Sequence, residues 1–375
     1  MKRKKPPAAD IHELMPILLS IWRRFHKLPG PPDRLQTREF RSVVDALLEL
    51  LKRNQTNPFE NPDLLGAYLL YQTVIHYQEG LSLLGELPEA PQRVLDLASG
   101  TLAFALAALK YGAEVVATDI SAKALTLGSE MCGQMGFAVT TRVADALQNP
   151  FPEKGPYDLI IVGHALFELF QRDDEKMLKW SRSLLSQLTP QGFLLIVDDS
   201  HQEMNHRLLA LRDRLGIPIQ APCIWKGPCP ALQAHEPCFA QREMEKPFLI
   251  KELQRAAHIN LSSLKMSYIL FRNPASGWPD LPDGKFYRVI SPALESFQGT
   301  RFYLCGTDGK KTLESSQPEL GLDARAFQYL RRGEVVAVQR ALEKPSGYVI
   351  VKETEVKVEA ALGKPIPQER HEPNR

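Results

Sequence analysis

The sequence has almost no surplus of charge of either sign. Lysines and arginines number 46 against 44 aspartates and glutamates, a formal net charge of +2 over 375 residues. So close a balance argues against a chain-wide basic field, and any contact with nucleic acid must come from local patches. Long apolar runs are also missing. The opening Met1-Lys2-Arg3-Lys4-Lys5 leads into Pro6 and Pro7 rather than a hydrophobic stretch. That argues against a signal peptide or a spanning helix and sets the expectation of a soluble, cytoplasmic, bacterial-type monomer with no membrane partner. The basic run itself reads as a solvated arm, with a phosphate-touching arm as the alternative. Cysteines are few, five in all. Their odd number in a chain of this length argues against a disulfide framework.

What the sequence does contain falls into blocks. Residues 1–88 carry apolar residues at helical spacing: Ile11, Leu14, Ile17, Leu18 and Ile21, then Val43, Val44, Leu47, Leu48 and Leu51. Prolines separate these two helices, and a third is expected from about Asp63, with Tyr68, Tyr71 and Tyr77 as a stripe that packs into the core. From residue 93 the period changes. Short apolar strands alternate with helices: Arg93-Val94-Leu95-Asp96-Leu97, Glu114 to Thr118, Val139 to Val143, Tyr157 to Val162 and Phe193 to Val197. Continuously apolar strands of this kind are parallel and covered on both faces. Residues 283–360 are strand-rich with Gly turns and one helix near Ala324 to Leu330, which suggests a small barrel of oligonucleotide-binding type. The tail, 361–375, is polar and proline-rich and is expected to be disordered.

Three acids close strands of the alternating block. Asp96 ends the first, beside Ala98-Ser99-Gly100-Thr101; Asp119 ends the second; Asp145 and Ala146 follow the third. Nucleotide-type ligands bind at such carboxyl ends, where a carboxylate accepts from both ribose hydroxyls and a glycine permits close approach of the backbone. The three-glycine loop of dinucleotide folds is absent, since only Gly100 is present, and this disfavours a pyrophosphate ligand. S-adenosylmethionine has no phosphate and tolerates a looser loop. The segment Leu188-Thr189-Pro190-Gln191-Gly192-Phe193 resembles the turn that feeds the fifth strand of class I methyltransferases. The expected fold is therefore α/β, a Rossmann-like class I methyltransferase domain over 89–275 with N-terminal helices, a cysteine-rich insertion at 221–245 and a small barrel-like β-rich domain at 283–360. Asp96, Ala98, Gly100, Asp119, Ile120, Asp145, Ala146 and His164 are the candidate cofactor-binding residues. No Asn-Pro-Pro-aromatic motif follows the fourth strand. His164 and Glu168, four apart, suit acid–base work if a helix begins there, the alternative being a loop histidine and a surface glutamate. Catalytic residues stay unassigned, and Cys132, on a helix, is a poor nucleophile candidate.

The remaining cysteines are clustered. Cys223-Ile224-Trp225-Lys226-Gly227-Pro228-Cys229-Pro230 is followed by Cys238, so three thiols fall within 16 residues. Prolines stiffen the loop and reduce the entropy lost on closing it. A fourth ligand is needed, and Cys305 and His235 are the candidates. Four such ligands suit a structural zinc or an iron–sulfur cluster, and the lack of a two-residue knuckle favours the latter.

These residues look like one family. Cys223 to Pro230, His235-Glu236-Pro237-Cys238-Phe239-Ala240-Gln241-Arg242, Glu245-Lys246-Pro247-Phe248 and Lys265-Met266-Ser267-Tyr268-Ile269-Leu270-Phe271-Arg272 resemble the methyltransferase-like proteins of the mitochondrial small ribosomal subunit and their bacterial relatives. The resemblance covers roughly residues 60–310. It implies a degenerate S-adenosylmethionine-binding domain, a four-iron four-sulfur cluster on Cys223, Cys229, Cys238 and Cys305, and a factor that binds the small ribosomal subunit and its rRNA and assists assembly or translation. An active methyltransferase on RNA or a small molecule is one alternative, and a cluster-based redox or iron sensor another. For RNA contact the candidates are Lys226, Arg242, Lys246, Lys251, Arg255, Lys265 and Arg272, each equally readable as a solvated charge.

Overall fold

The computed structural model describes residues 10–368 apart from 32, 53–57, 149, 152, 154 and 317–319. The basic run at the start lies outside the described residues. The chain divides into two units: Met1–Leu84, Glu89–Arg172 and Arg242–Leu264 form the first, and Gly85–Pro88, Asp173–Gln241 and Lys265–Arg375 the second.

The first unit opens with helices α1 (Ile11–Phe25), α2 (Thr37–Leu51), α3 (Pro62–Leu70) and α4 (Gln72–Leu84). The single third helix expected from the sequence is broken at Tyr71, so α3 and α4 are separate. The start of α3 follows from Asn61, whose side chain accepts from the Asp63 and Leu64 amides, with Pro62 in the first turn where its missing N–H costs nothing. Of the tyrosine stripe, Tyr71 and Tyr77 are buried in the core. Tyr68 is only half-buried and bonds to a histidine.

Strands β1 (Arg93–Leu97), β2 (Glu114–Asp119), β3 (Thr140–Val143) and β4 (Tyr157–Gly163) alternate with α5 (Ala103–Lys110) and α6 (Ala122–Gln134), and α7 (Leu166–Phe170) follows β4. The strands lie in the order β3-β2-β1-β4. β1 pairs in parallel with β2 and with β4, and β2 with β3. Val94, Leu95, Leu97, Val116, Ala117, Leu159, Ile160 and Ile161 are buried, as mostly apolar strands covered on both faces require. Since all four strands run the same way, their carboxyl ends bring the loop 98–102, Asp119, Asp145 and His164 to one edge.

In the second unit α8 (Asp174–Leu185) leads into β5 (Leu188–Asp199), α9 (Gln202–Leu215) and β6 (Ile219–Ala221). The short helix α10 (Pro230–Gln233) and strand β7 (Ala240–Arg242) follow; α11 (Phe248–Ala256) belongs to the first unit, and the chain then returns as β8 (Leu264–Arg272). β8 runs antiparallel to both β5 and β6. The C-terminal sheet is built from β9 (Phe286–Val289), β10 (Leu294–Ser296), β11 (Gly299–Gly306), β12 (Gly309–Ser315), β13 (Val335–Gln339), β14 (Leu342–Lys344), β15 (Gly347–Val349) and β16 (Glu355–Ala360). Its order is β14-β15-β12-β11-β9-β13-β16, with β10 paired to β11. Tyr287, Phe302, Leu304, Leu313, Phe327 and Val336 form its core. The tail departs from the expected disorder over 361–368. Ile366 is buried with Ile224, Phe286 and Val335, since one large apolar side chain is enough to anchor a short polar segment. Residues 369–375 lie outside the described residues.

Candidate functional sites

The loop after β1 is where the first unit departs most from ordinary backbone. Ala98, Gly100 and Leu102 all have φ between +51° and +63°, the left-handed region that favours glycine. Two of the three are not glycine, and a left-handed residue with a Cβ costs roughly 1–2 kcal/mol. The third left-handed position is Leu102 rather than its neighbour Thr101. The loop is held by the Ser99 amide and hydroxyl, which donate to the Thr118 carbonyl at 2.9 and 3.1 Å. The Gly100 amide donates to Asp119 Oδ2 at 2.8 Å. At Gly100 a Cβ would stand 3.3 Å from the Phe59 ring, so the glycine lets backbone and aromatic ring meet.

Asp119 also accepts from the Ser121 amide at 2.8 Å through Oδ1. Burial raises its pKa, and the amide hydrogen bonds from Ser121, Gly100 and Ile120 oppose that rise. Each carboxylate oxygen keeps a second lone pair for a ribose hydroxyl. Ile120, beside it, is 65% exposed and offers an apolar surface. Asp96 is buried, and among the described residues its Oδ2 has no hydrogen-bond partner. Burial pushes its pKa up to about 8 against the hydrogen bond from the Ala105 amide. A buried carboxylate oxygen without a donor fits the ammonium group of S-adenosylmethionine, which supplies both the proton donor and the positive charge. Asp145 closes its own turn, accepting from the Leu147 amide at 2.8 Å, and Ala146 behind it is buried. The residues present therefore fit the cofactor.

His164 follows β4 with φ +54°, and α7 begins only at Leu166. The spacing argument that put His164 and Glu168 on one helical face does not hold, because His164 is outside the helix and Glu168 is exposed. His164 instead meets Glu79 of α4, with Nε2 to Oε2 at 2.8 Å. Its ring stacks on His76 at 4.0 Å and 8°. His76 in turn bonds through Nδ1 to the Tyr68 hydroxyl at 3.1 Å. Burial, and then the neighbouring His164, hold the His76 pKa well below its ordinary value. His76 and Glu79 were not singled out from the sequence. Their signal was an i,i+3 polar pair inside a helix otherwise rich in buried side chains. Cys132 is buried, and burial pushes its thiol up to about 12, which removes it as a nucleophile.

The four clustered cysteines lie in the second unit. Cys223, Cys229, Cys238 and Cys305 line one cavity of about 100 Å3, together with Arg212, Tyr303 and Lys310. Cys305 comes from β11, and the other three from the loops around α10. His235 is exposed and is not among the cavity's lining residues. Among the described residues, no three of the sulfurs lie within 4.8 Å of one another. Burial raises the pKa of Cys223, Cys238 and Cys305, that of Cys238 to about 12, and the other thiols of the group add to the rise. Arg212 opposes it at Cys223 and Cys305, and Arg288 at Cys223 and Cys238.

The loop geometry has clear supports. Arg212 donates to the Gly227 and Trp225 carbonyls, both at 2.5 Å. The Cys229 amide donates to Asp213 Oδ2 at 2.9 Å. The Cys238 amide and carbonyl both bind the Asn205 side chain, at 2.9 and 2.6 Å. Arg288 donates to the Pro222 carbonyl at 2.7 Å, next to Cys223, and pairs at 3.2 Å with Glu86, which is fully buried.

The basic residues read as RNA contacts do not all face solvent. Arg242 is buried and donates to Ser82 Oγ at 3.0 Å. Arg272 is buried and donates to Gln220 at 2.5 and 3.1 Å. Both are withdrawn as phosphate contacts, because the two arginines are themselves buried and hydrogen-bonded within the fold. Lys226, Lys251, Arg255 and Lys265 are exposed.

Residues 94–192 match a methyltransferase domain. Demethylmenaquinone methyltransferase of Thermus thermophilus is 37% identical to the chain over 114 residues, which is 30% of this chain and 49% of that protein. The chain thus spans about half the length of the curated relative it matches. Solved structures that resemble it include ribosomal protein L11 methylase from Lactobacillus delbrueckii subsp. bulgaricus. That match has 22% identity and a TM-score of 0.31 and covers 40% of this chain and 71% of that one. N-methyltransferase NodS from Bradyrhizobium japonicum WM9 with S-adenosyl-L-homocysteine has 16% identity and a TM-score of 0.33, over 62% of this chain and 99% of that one. The fold is that of a class I methyltransferase, Rossmann-like, with a second β-rich sheet.

Proposed function

We propose that this protein is an S-adenosylmethionine-binding, methyltransferase-type factor that carries an iron–sulfur cluster on Cys223, Cys229, Cys238 and Cys305 and acts on the small ribosomal subunit through rRNA contact. The observation that carries the reading is the convergence of four thiols, from segments up to 82 residues apart in sequence, on one cavity of about 100 Å3. A tetrahedral zinc with Zn–S near 2.3 Å needs its sulfurs about 3.8 Å apart. Arg212 and Arg288 supply positive charge beside ligands that must ionise to bind.

Anaerobic purification followed by visible absorption and iron and sulfide analysis tests the centre. A brown protein with iron and sulfide is expected, and colourless protein holding one zinc rejects the cluster. Cys229→Ser should lose the metal and loosen residues 221–242, read by hydrogen exchange. The ribosomal part is tested separately by co-sedimentation with small-subunit particles, and absence of binding at low salt rejects it.

A second reading, an active methyltransferase, is favoured by the Asp96 and Asp119 arrangement beside a polar cluster at the end of β4. When bound, the cofactor supplies a methyl group on a sulfonium centre. Asp96 would hold its ammonium and Asp119 its ribose, and His164 would stand where an acceptor arrives. Transfer of labelled methyl to rRNA supports this reading, and saturable cofactor binding without transfer rejects it.

A further inference from the structure

We infer that His76, Glu79 and His164 form a binding site for a borderline divalent transition ion, of the zinc, iron(II) or cobalt(II) class, at the carboxyl end of β4. The inference goes beyond the function proposed above and stands or falls independently of the cysteine centre. One donor atom from each of the three side chains lies within 4.8 Å of the other two. Two imidazoles and one carboxylate are the donor set of open, three-ligand metal sites, which leave positions free for water or a substrate atom.

The supports are those a metal site needs. His76 and Glu79 are three residues apart on α4, so the helix itself puts both on one face. Both are buried. The His76 and His164 rings stack at 4.0 Å and 8°, so their in-plane lone pairs run side by side and one ring has to turn out of the stack for both to reach one ion. The Tyr68 hydroxyl at His76 Nδ1 orients that ring and leaves Nε2 as the donor, the usual role of an outer partner to a ligating histidine. Phe104 flanks both imidazoles, with its ring 6.2 Å from His76 and 6.1 Å from His164. At Gly163 a Cβ would stand 2.6 Å from that ring, so only glycine lets β4 deliver the next residue there. His164 itself is held at φ +54°. A strained backbone of this kind persists where its surroundings over-determine it, and such positions gather at ligand sites. The contacts run on through Tyr68 and Phe59 to Gly100, so the three donors sit beside the cofactor loop.

Cobalt(II) titration of the full chain under anaerobic conditions tests the site. Thiolate ligands give intense sulfur-to-cobalt charge transfer, whereas nitrogen and oxygen ligands give only weak visible bands, so the two centres are told apart by spectrum. In Cys229→Ser, one equivalent of cobalt should bind with the weak bands alone. Glu79→Gln and His164→Ala should each weaken that binding at least tenfold. His164→Asn guards against loss of fold, because asparagine tolerates the left-handed backbone and is a poor ligand for these ions; it should keep the circular dichroism of the parent and lose the cobalt bands. The proposal is overturned if cobalt binds only with charge transfer, if no cobalt binds, or if His164→Asn binds as the parent does.

Discussion

Asp96 shows how one residue couples the cofactor site to stability. Its folded pKa, near 8, lies above the ordinary carboxyl value, so the folded chain keeps a proton that the unfolded chain has shed. The stability this acid contributes is fully present below about pH 4 and is lost as pH rises toward about 8. The ligand-free protein should therefore melt at progressively lower temperature across that window, and Asp96→Asn should flatten the decline. An ammonium beside Oδ2 favours the ionised form, so stabilisation by S-adenosylmethionine should grow with pH in the parent and much less in Asp96→Asn. Melting curves with and without ligand from about pH 5 to about pH 9 check both signs. Asp119 acts differently, because its two oxygens already accept from the Gly100 and Ser121 amides. Asp119→Ala orphans both donors. It should cost about 1–3 kcal/mol in denaturant unfolding and lower cofactor affinity at least tenfold by calorimetry.

At the scale of the element, the loop 98–102 keeps the path of a three-glycine turn with only one glycine. If Ala98 is left-handed because the cofactor cradle needs that path, relieving its Cβ should not disturb binding. Ala98→Gly should then stabilise the protein by about 1 kcal/mol in denaturant titration with cofactor affinity unchanged. A destabilised Ala98→Gly would instead mean that the methyl group contributes more by packing than it costs in backbone strain. This loop also marks where reading the sequence stopped. The parallel strands were legible because Val94-Leu95, Val115 to Ala117 and Leu159 to Val162 are short apolar runs. Two of the acids were legible by position, Asp96 after the first of these runs and Asp119 at the end of the second strand. The left-handed role of Leu102 was hidden, since a leucine gives no sign of positive φ. The pairing of Glu79 with His164 was hidden because the two are 85 residues apart and no local period joins them. The His164–Glu168 pair depended on a helix beginning at His164; α7 starts two residues later, and the alternative of a loop histidine and a surface glutamate is the one found.

For the whole molecule, charge is the property that composition fixes and position then redistributes. A net charge of +2 gives little long-range attraction to RNA, so the proposed association with the small subunit would have to come from exposed cations one by one. The sequence marked seven, and burial sorts them: Arg242 and Arg272 are buried and bonded within the fold, Lys246 is half-buried and donates to the Leu261 carbonyl, and Lys226, Lys251, Arg255 and Lys265 keep their charge at the surface. Arg255 is also engaged by Glu252 at 2.8 Å, and Lys226 lies 5.4 Å from the Trp278 ring. The two kinds of residue should separate cleanly on substitution. Lys265→Glu should leave the melting temperature unchanged and weaken co-sedimentation with small-subunit particles, with a shallower dependence on salt. Removing one cation from a phosphate lowers the logarithmic salt slope by about 0.7–0.9. Arg272→Ala should do the reverse: it strips two of the three donors from the buried Gln220 oxygen, leaving Gln368 Nε2 at 3.2 Å, costs about 1–3 kcal/mol of stability and leaves the salt slope intact. Equal salt slopes for parent and Lys265→Glu would remove Lys265 from the proposed RNA contacts, whereas a changed slope in folded Arg272→Ala would mean that the guanidinium reaches RNA after all.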